Sequence, residues 1–319
     1  MEHRAIARTA VAVTELGFGA APIANLYTPV TDAEAQAAVD AAWDCGIRYF
    51  DTAPHYGLGL SERRLGAALT RRRREDFVIS TKVGRLLVEN PTPTGSDLAN
   101  GFAVSDTLTR QLDYSADGVR RSLDASLERL GLDRVDIVFV HDPVDHMDVV
   151  IREAIPALIR LRDQGVIGAV GVGMNLWEPL RRAVIETDID VVMVAGRWTL
   201  LDRSAAPLLE ACDANDCSVI AAAPFNSGIL AQDWPGASSY FDYGPAPDEV
   251  LARARALARA CETGGAALPQ AALQFPLRHP SVAGVVAGMG TARQVTEDAA
   301  LLATPVPDAA WDAITRVAG

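Results

Sequence analysis

Cysteine is scarce in this sequence. Its four residues, Cys45, Cys212, Cys217 and Cys261, stand at no paired spacing. That argues against a disulfide framework and fits free thiols in a reducing cytoplasm. Long hydrophobic runs are missing as well. No apolar stretch reaches the roughly 18 residues a bilayer demands, so no membrane partner is expected. The first residues, Met1-Glu2-His3-Arg4-Ala5-Ile6, lack the basic-then-apolar layout of a secretory leader. Positive charge is in deficit: 29 Lys and Arg against 41 Asp and Glu leave a net charge of −12. A nucleic-acid partner would need a basic face, and this balance argues against one. The one basic run, Arg71-Arg72-Arg73-Arg74, reads as the solvated end of a helix starting near Ser61. Familiar ligand loops are absent too. There is no Walker A sequence, and Gly17-Phe18-Gly19 lacks a third glycine and runs into Pro22. His141-Asp142 and His146-Met147-Asp148 have no third ligand at a zinc-like spacing. Cys212 and Cys217, five apart, fall on different faces of a helix, so no metal is expected.

What the chain does have is alternation. Apolar β-rich runs recur at Leu16–Gly19, Arg48–Asp51, Val78–Lys82, Ile137–His141, Ala169–Gly173, Val191–Ala195, Ser218–Ala222 and Val282–Ala287. Helices intervene. Thr31-Asp32-Ala33-Glu34 and Thr291-Ala292-Arg293-Gln294 read as capping boxes. Val119, Leu123, Leu127 and Leu130 recur at helical spacing after Ser115 and Asp117. Gly46, Gly131 and Gly165 stop helices. Eight strand–helix units with right-handed crossovers predict an α/β protein, a closed (β/α)8 TIM barrel, as one domain over residues 1–319. Two connections are long, at about 84–114 and 231–247. Loops of that length in a compact domain are usually functional. Trp234, Tyr240, Phe241 and Tyr243 in the second are candidates to line a substrate pocket.

Three of the apolar runs finish on an ionisable group: Asp51, Lys82 and His141. Tyr56 follows five residues after Asp51, in a turn opened by Pro54 and Gly57. In a parallel barrel these positions share one mouth. A phenol titrates near ~10 when unperturbed, and a neighbouring ammonium stabilises its phenolate. Asp51 would hold Lys82 charged and oriented, and His141 would hydrogen-bond a substrate oxygen. The set suits proton transfer at a carbonyl or hydroxyl oxygen while a partner group moves a hydride. Two segments offer backbone donors for phosphate: the last strand running through Gly288 and Gly290 into the helix at Thr291, and Pro224-Phe225-Asn226-Ser227-Gly228-Ile229-Leu230.

The run Phe50-Asp51-Thr52-Ala53-Pro54-His55-Tyr56-Gly57, with Ser61-Glu62 and Leu65-Gly66, resembles the aldo-keto reductases, and the likeness extends from Leu16 to the helix after Gly290. It implies a catalytic tetrad of Asp51, Tyr56, Lys82 and His141; Tyr56 and His141, together with Trp234 of the long loop, are the expected substrate contacts. It also implies a nicotinamide dinucleotide, NAD or NADP, bound without a metal. The expected cofactor contacts are Gly19, Asp51, Asn175, Phe225, Asn226, Ser227, Gly228, Leu230, Gly288, Gly290, Thr291, Arg293, Gln294, Glu297 and Asp298.

The second half, through Gly171-Val172-Gly173-Met174-Asn175, Ala195 to Asp202 and Ala272 to Leu277, is similar to the aldose 1-dehydrogenase branch. That branch includes L-fucose and D-threo-aldose dehydrogenases, with L-galactose and pyridoxal dehydrogenases as relatives. Val194, Ala195 and Ala222 replace the residues that commonly hold and stack on the nicotinamide. Asn175, Trp198 or Phe225 are left to serve there. Gly288 and Gln294 stand where relatives preferring NADP commonly carry cations, with Arg293 one residue earlier. NAD is therefore expected to be preferred, or both cofactors accepted. The expected reaction is oxidation of an aldose at C1 to its lactone. The alternatives are pyridoxal 4-dehydrogenase or general aldehyde reductase chemistry on the same tetrad, and a dinucleotide-sensing regulatory subunit.

Overall fold

The computed structural model describes residues 1–318, the side chain of Ala318 excepted. Its centre is a closed barrel of eight parallel strands: β1 (Leu16–Gly19), β2 (Tyr49–Asp51), β3 (Val78–Val83), β4 (Ile137–His141), β5 (Ala169–Met174), β6 (Val191–Ala195), β7 (Ser218–Ala222) and β8 (Val282–Gly288). Neighbours in the ring are neighbours in sequence, and the ring closes where Val285–Gly288 pairs with Leu16–Gly19. These are the eight expected strands, with ends differing by at most one residue. A closed parallel sheet leaves no free edge, and burial on both faces explains why the strands read as continuous apolar runs.

Two apolar layers hold it. Tyr49, Ile137, Phe139, Val191, Met193, Ile220 and Val286 fill the barrel interior, with Ile6 and Val13 from below. Val138, Val140, Val170, Val172, Val192 and Val219 belong to a larger core that also holds buried helix residues. Those helices include α1 (Asp32–Asp44), α2 (Leu60–Leu69) and α3 (Ala116–Leu130). Thr31 and Glu34 form the expected reciprocal capping box on α1. Ser115 caps α3 by accepting from the Gly118 amide at 3.0 Å, and Gly131, at φ 63°, ends it. Further helices are α4 (Ile155–Asp163), α5 (Trp177–Glu186), α6 (Ala206–Ala214), α7 (Asp248–Thr263), α8 (Leu268–Gln274), α9 (Ala292–Ala303) and α10 (Asp308–Ala318). Among the described residues, no helix is long and apolar enough to cross a membrane.

Three features differ from expectation. An antiparallel hairpin, His3–Ala5 with Ala12–Thr14, covers the bottom of the barrel. There Arg4 donates to the Leu277 and Val282 carbonyls at 3.0 Å each. The basic run lies beyond the helix end, and three of its four guanidiniums are paired: Arg72 with Asp40, Arg73 with Glu75 and Arg74 with Asp136. The connection after β3 is ordered structure: Arg85–Glu89 and Leu108–Leu112 form an antiparallel hairpin. Its alternation is hidden because neither face is fully buried. This hairpin stands over the upper mouth and bears on the chemistry there.

Candidate active site

Asp51 and His141 are the last residues of β2 and β4, and Lys82 is the penultimate residue of β3. All three are buried. The Lys82 ammonium donates to Asp51 Oδ2 at 2.7 Å and to the Thr52 carbonyl at 3.1 Å. Asp51 Oδ1 accepts from Ser80 Oγ at 2.7 Å, and Ser80 is 3.1 Å from the Tyr49 hydroxyl. A carboxylate so bonded on both oxygens is fixed in position. Burial alone would lower the lysine's proton affinity, but Asp51 and Tyr56 outweigh it and hold the ammonium above its usual range.

Tyr56 sits half-buried in the turn after β2, its ring centroid 4.8 Å from Lys82 Nζ. The sequence suggested that this neighbour would depress the phenol's pKa. Lys82 does act in that direction, but burial is stronger and leaves the pKa raised. His141 packs edge-on to Tyr56, centroids 5.9 Å apart. Burial, then the charges of Lys82 and Arg85, hold its pKa far below the usual range, so the ring is neutral at neutral pH. Its Nδ1 is buried with no partner, and Nε2 lies 3.4 Å from Asp142 Oδ2. Such a ring can donate a hydrogen bond to an oxygen without adding a charge.

The hairpin supplies the roof. Arg85 donates to Asp142 Oδ2 at 2.9 Å and reaches His55 Nδ1 at 3.4 Å. Arg110 makes a bidentate pair with Asp97, both bonds 2.6 Å, and donates to the His55 carbonyl at 2.7 Å. His55 is driven down to about 3 by burial and by these two guanidiniums. Phe102 lies 6.2 Å from the Tyr56 ring and 5.5 Å from His55. Tyr243, from the second long loop, is pushed up to about 12 by burial, and its neighbours Tyr56, Tyr27 and Asp142 act in the same direction. Trp234, also of that loop, stands at the surface. It is 48% exposed, with Arg255 and Arg259 of α7 over its ring at 5.8 and 5.5 Å.

The expected cofactor residues fall into two groups at the mouth. At the β8 end, Gly288 pairs with Gly19 across the barrel seam. Side chains there would crowd: a Cβ on Gly290 would stand 3.1 Å from Pro22 Cβ, and one on Gly19 would stand 2.8 Å from the Ala287 carbonyl oxygen. Thr291 caps α9 by accepting from the Gln294 amide at 3.2 Å. The expected reciprocal bond is displaced, because the Gln294 carboxamide accepts from Gly290 N at 2.9 Å. Arg293 is 81% exposed and 3.5 Å from Glu297. Asp298 is buried, and burial followed by Glu297 pushes it up to about 7.

At the β7 end, Asn226 and Ser227 hold left-handed backbone at φ 45° and 59°, followed by Gly228 at 95°. Asn226 Nδ2 donates to the Gly196 carbonyl at 3.0 Å, while its Oδ1 is buried with no partner. Phe225 and Leu230 pack into the core beside α7 and α8. Asn175 follows β5 and is half-buried. Trp198 turns onto Phe275 and His279, with centroids 5.5 and 5.6 Å away.

The model of the aldo/keto reductase family matches residues 15–318. The chain is 47% identical to a D-threo-aldose 1-dehydrogenase from a Pseudomonas species, over 96% of this chain and 94% of that protein. The chain belongs to the aldo/keto reductase family. A pyridoxal 4-dehydrogenase of Microbacterium luteolum is 39% identical over 97% of this chain and 95% of its own length. Among solved structures, an aldo-keto reductase from Bacillus halodurans in its holo form superposes with a TM-score of 0.78 at 26% identity, covering 100% of this chain and 97% of that one. The protein is thus an oxidoreductase of a family that works with a nicotinamide dinucleotide. The orphaned acceptor of Asn226 and the bare backbone at Gly228 and Gly288 fit a ligand rich in amide and phosphate groups.

Sequence reasoning missed Arg85, Arg110 and Asp142. It also passed over a compositional signal: Lys82 is the only lysine in the chain.

Proposed function

We propose that this aldo/keto reductase oxidises an unphosphorylated aldose at C1 to the lactone, with Asp51, Tyr56, Lys82 and His141 as its catalytic residues. The observation that carries the reading is the convergence of phenol, ammonium and neutral imidazole at one barrel mouth, with Lys82 locked to Asp51 at 2.7 Å. Tyr56, as phenolate, takes the proton of the anomeric hydroxyl. The Lys82 ammonium stabilises that phenolate. His141 steers the substrate oxygen with a neutral donor. The bound nicotinamide supplies the hydride acceptor. Asn175 and Asn226 would hold its carboxamide end, and the backbone at Gly288, Gly290 and Thr291 its phosphates. Each guanidinium of the roof is paired with a carboxylate, Arg85 with Asp142 and Arg110 with Asp97. That leaves no surplus positive charge there for a sugar phosphate. The similarity to the aldose dehydrogenase supports the choice of sugar.

NAD is the cofactor we favour. Gly288 has no side chain to offer, Gln294 is engaged by Gly290, and Arg293 points to solvent beside Glu297. The deciding experiment follows reduced cofactor with L-fucose, D-arabinose, L-galactose and pyridoxal. Oxidation of at least one aldose with lactone as product is expected. Turnover of pyridoxal alone would move the assignment to pyridoxal 4-dehydrogenase chemistry.

A further inference from the structure

Asp142 is held in left-handed backbone, which aspartate adopts more readily than most residues other than glycine and asparagine. Its φ is +42°, in a region that costs a non-glycine residue energy and that clusters at functional sites. Three ties impose it. Its amide donates to the Gly173 carbonyl at 2.9 Å, its carbonyl accepts from the Tyr114 hydroxyl at 3.3 Å, and its Oδ2 accepts from Arg85 at 2.9 Å. Tyr114 also anchors the His141 carbonyl at 2.9 Å. The carboxylate is thus carried to the edge of the imidazole that would hold the reacting oxygen. Only Oδ2 is engaged there. Oδ1 has no hydrogen-bond partner among the described residues, and the side chain is 36% exposed. Arg85, which faces it from the hairpin, has a buried Nε without a partner.

From this we infer a hydroxyl-reading subsite: Asp142, oriented by Arg85, accepts hydrogen bonds from the hydroxyls next to the reacting carbon of the sugar. The inference deepens the aldose reading and rests on it. A charged acceptor beside a guanidinium donor is neutral as a pair, so it matches an uncharged polyol, whose hydroxyls both donate and accept. A hydroxyl bonded to a charged group contributes more than one bonded to a neutral group. A site built to bond a hydroxyl also discriminates against the analogue lacking it. Asp142 is therefore a specificity residue, and Arg85 positions it.

The test is a cycle of enzyme and substrate. Wild type, Asp142→Asn and Arg85→Met are each assayed with D-arabinose and its 2-deoxy and 3-deoxy forms. Asparagine tolerates the left-handed backbone, so Asp142→Asn keeps the fold, and Arg85→Met disturbs the carboxylate from the other side. In wild type, removal of one of these hydroxyls should lower kcat/KM by roughly ten- to a hundredfold. In both variants that ratio should shrink by about tenfold, the loss appearing mainly in KM for D-arabinose, while the deoxy sugar is little affected. A uniform drop in kcat for every sugar would make Asp142 a mere support for His141 and overturn the inference alone. If wild type oxidised no aldose at all, the aldose reading itself would fall and this inference with it.

Discussion

At the residue scale the reaction turns on a phenol that is hard to ionise. Burial raises the Tyr56 pKa above its ordinary value near 10, and Lys82 only partly offsets this. The sign follows directly. Oxidation needs the phenolate, so its rate should climb with pH into the alkaline range; reduction needs the neutral phenol and should fall there. Removing the ammonium in Lys82→Met takes away the opposing charge and should move both profiles to still higher pH. Tyr56→Phe should lower kcat by about 10²–10⁴-fold while cofactor binding persists. A phenylalanine variant within a few-fold of wild type would remove Tyr56 from the acid–base role. Much at this scale was legible: an ionisable group at a strand end is conspicuous, and Asp51, Lys82 and His141 each stand at the end or one residue short of it. The balance between burial and charge was not, because it depends on how much protein surrounds the phenol. Nor was Asp142, whose part depends on Arg85 arriving from a segment 57 residues away.

At the scale of elements, strands and capped helices were readable because each carries a local cause: an apolar run, a Thr–Glu box, a left-handed glycine. The hairpin of Arg85–Glu89 and Leu108–Leu112 has no such cause. Its strands carry Arg85, Thr109, Arg110 and Gln111 among a few apolar residues, and its order comes from pairing and from Arg110 with Asp97. Trp234 gives a related case: an aromatic residue in a long loop invites a pocket reading, and the partners its ring has here, two arginines of α7, carry no local signal. Helix packing gives a sharper expectation. Gly66 of α2 touches the end of α3, where an added Cβ would stand 2.1 Å from the Leu130 carbonyl oxygen. Nearby, Arg129 pairs with the buried Glu62 at 2.6 Å. Gly66→Ala forces the two helices apart and should cost about 1–3 kcal/mol, read as a lower urea midpoint with little change in slope. A midpoint equal to wild type would show that α2 can shift freely.

At the scale of the whole molecule, the eight-strand alternation predicted the barrel, because right-handed crossovers leave few other ways to bury so many apolar strands. The net charge of −12 makes the chain an unpromising host for a polyanion, and the cofactor site proposed above relies on backbone donors at Gly288, Gly290 and Thr291. That has a global readout. A ligand binding only the folded state stabilises it by about 2.7 kcal/mol at a hundred times its Kd. At equal concentration NAD should therefore raise Tm more than NADP. A larger shift with NADP, abolished in Arg293→Ala, would place the 2′-phosphate on that arginine instead.

One attachment in the hairpin reaches beyond catalysis. The segment leaves the barrel at Gly84 and returns at Asp113, and the Asp113 amide donates to the Gly84 carbonyl at 3.0 Å. Gly84 holds φ +97°, and a Cβ there would strike the Tyr114 ring at 2.2 Å. The roof is therefore a cassette clasped at its base. A change of length between the same two ends would carry a loop-closure cost that grows only slowly with length, besides whatever it costs the ties of Arg85 and Arg110 to the mouth. Such a change would alter the approach to the mouth and leave the strands bearing Asp51, Lys82 and His141 in place.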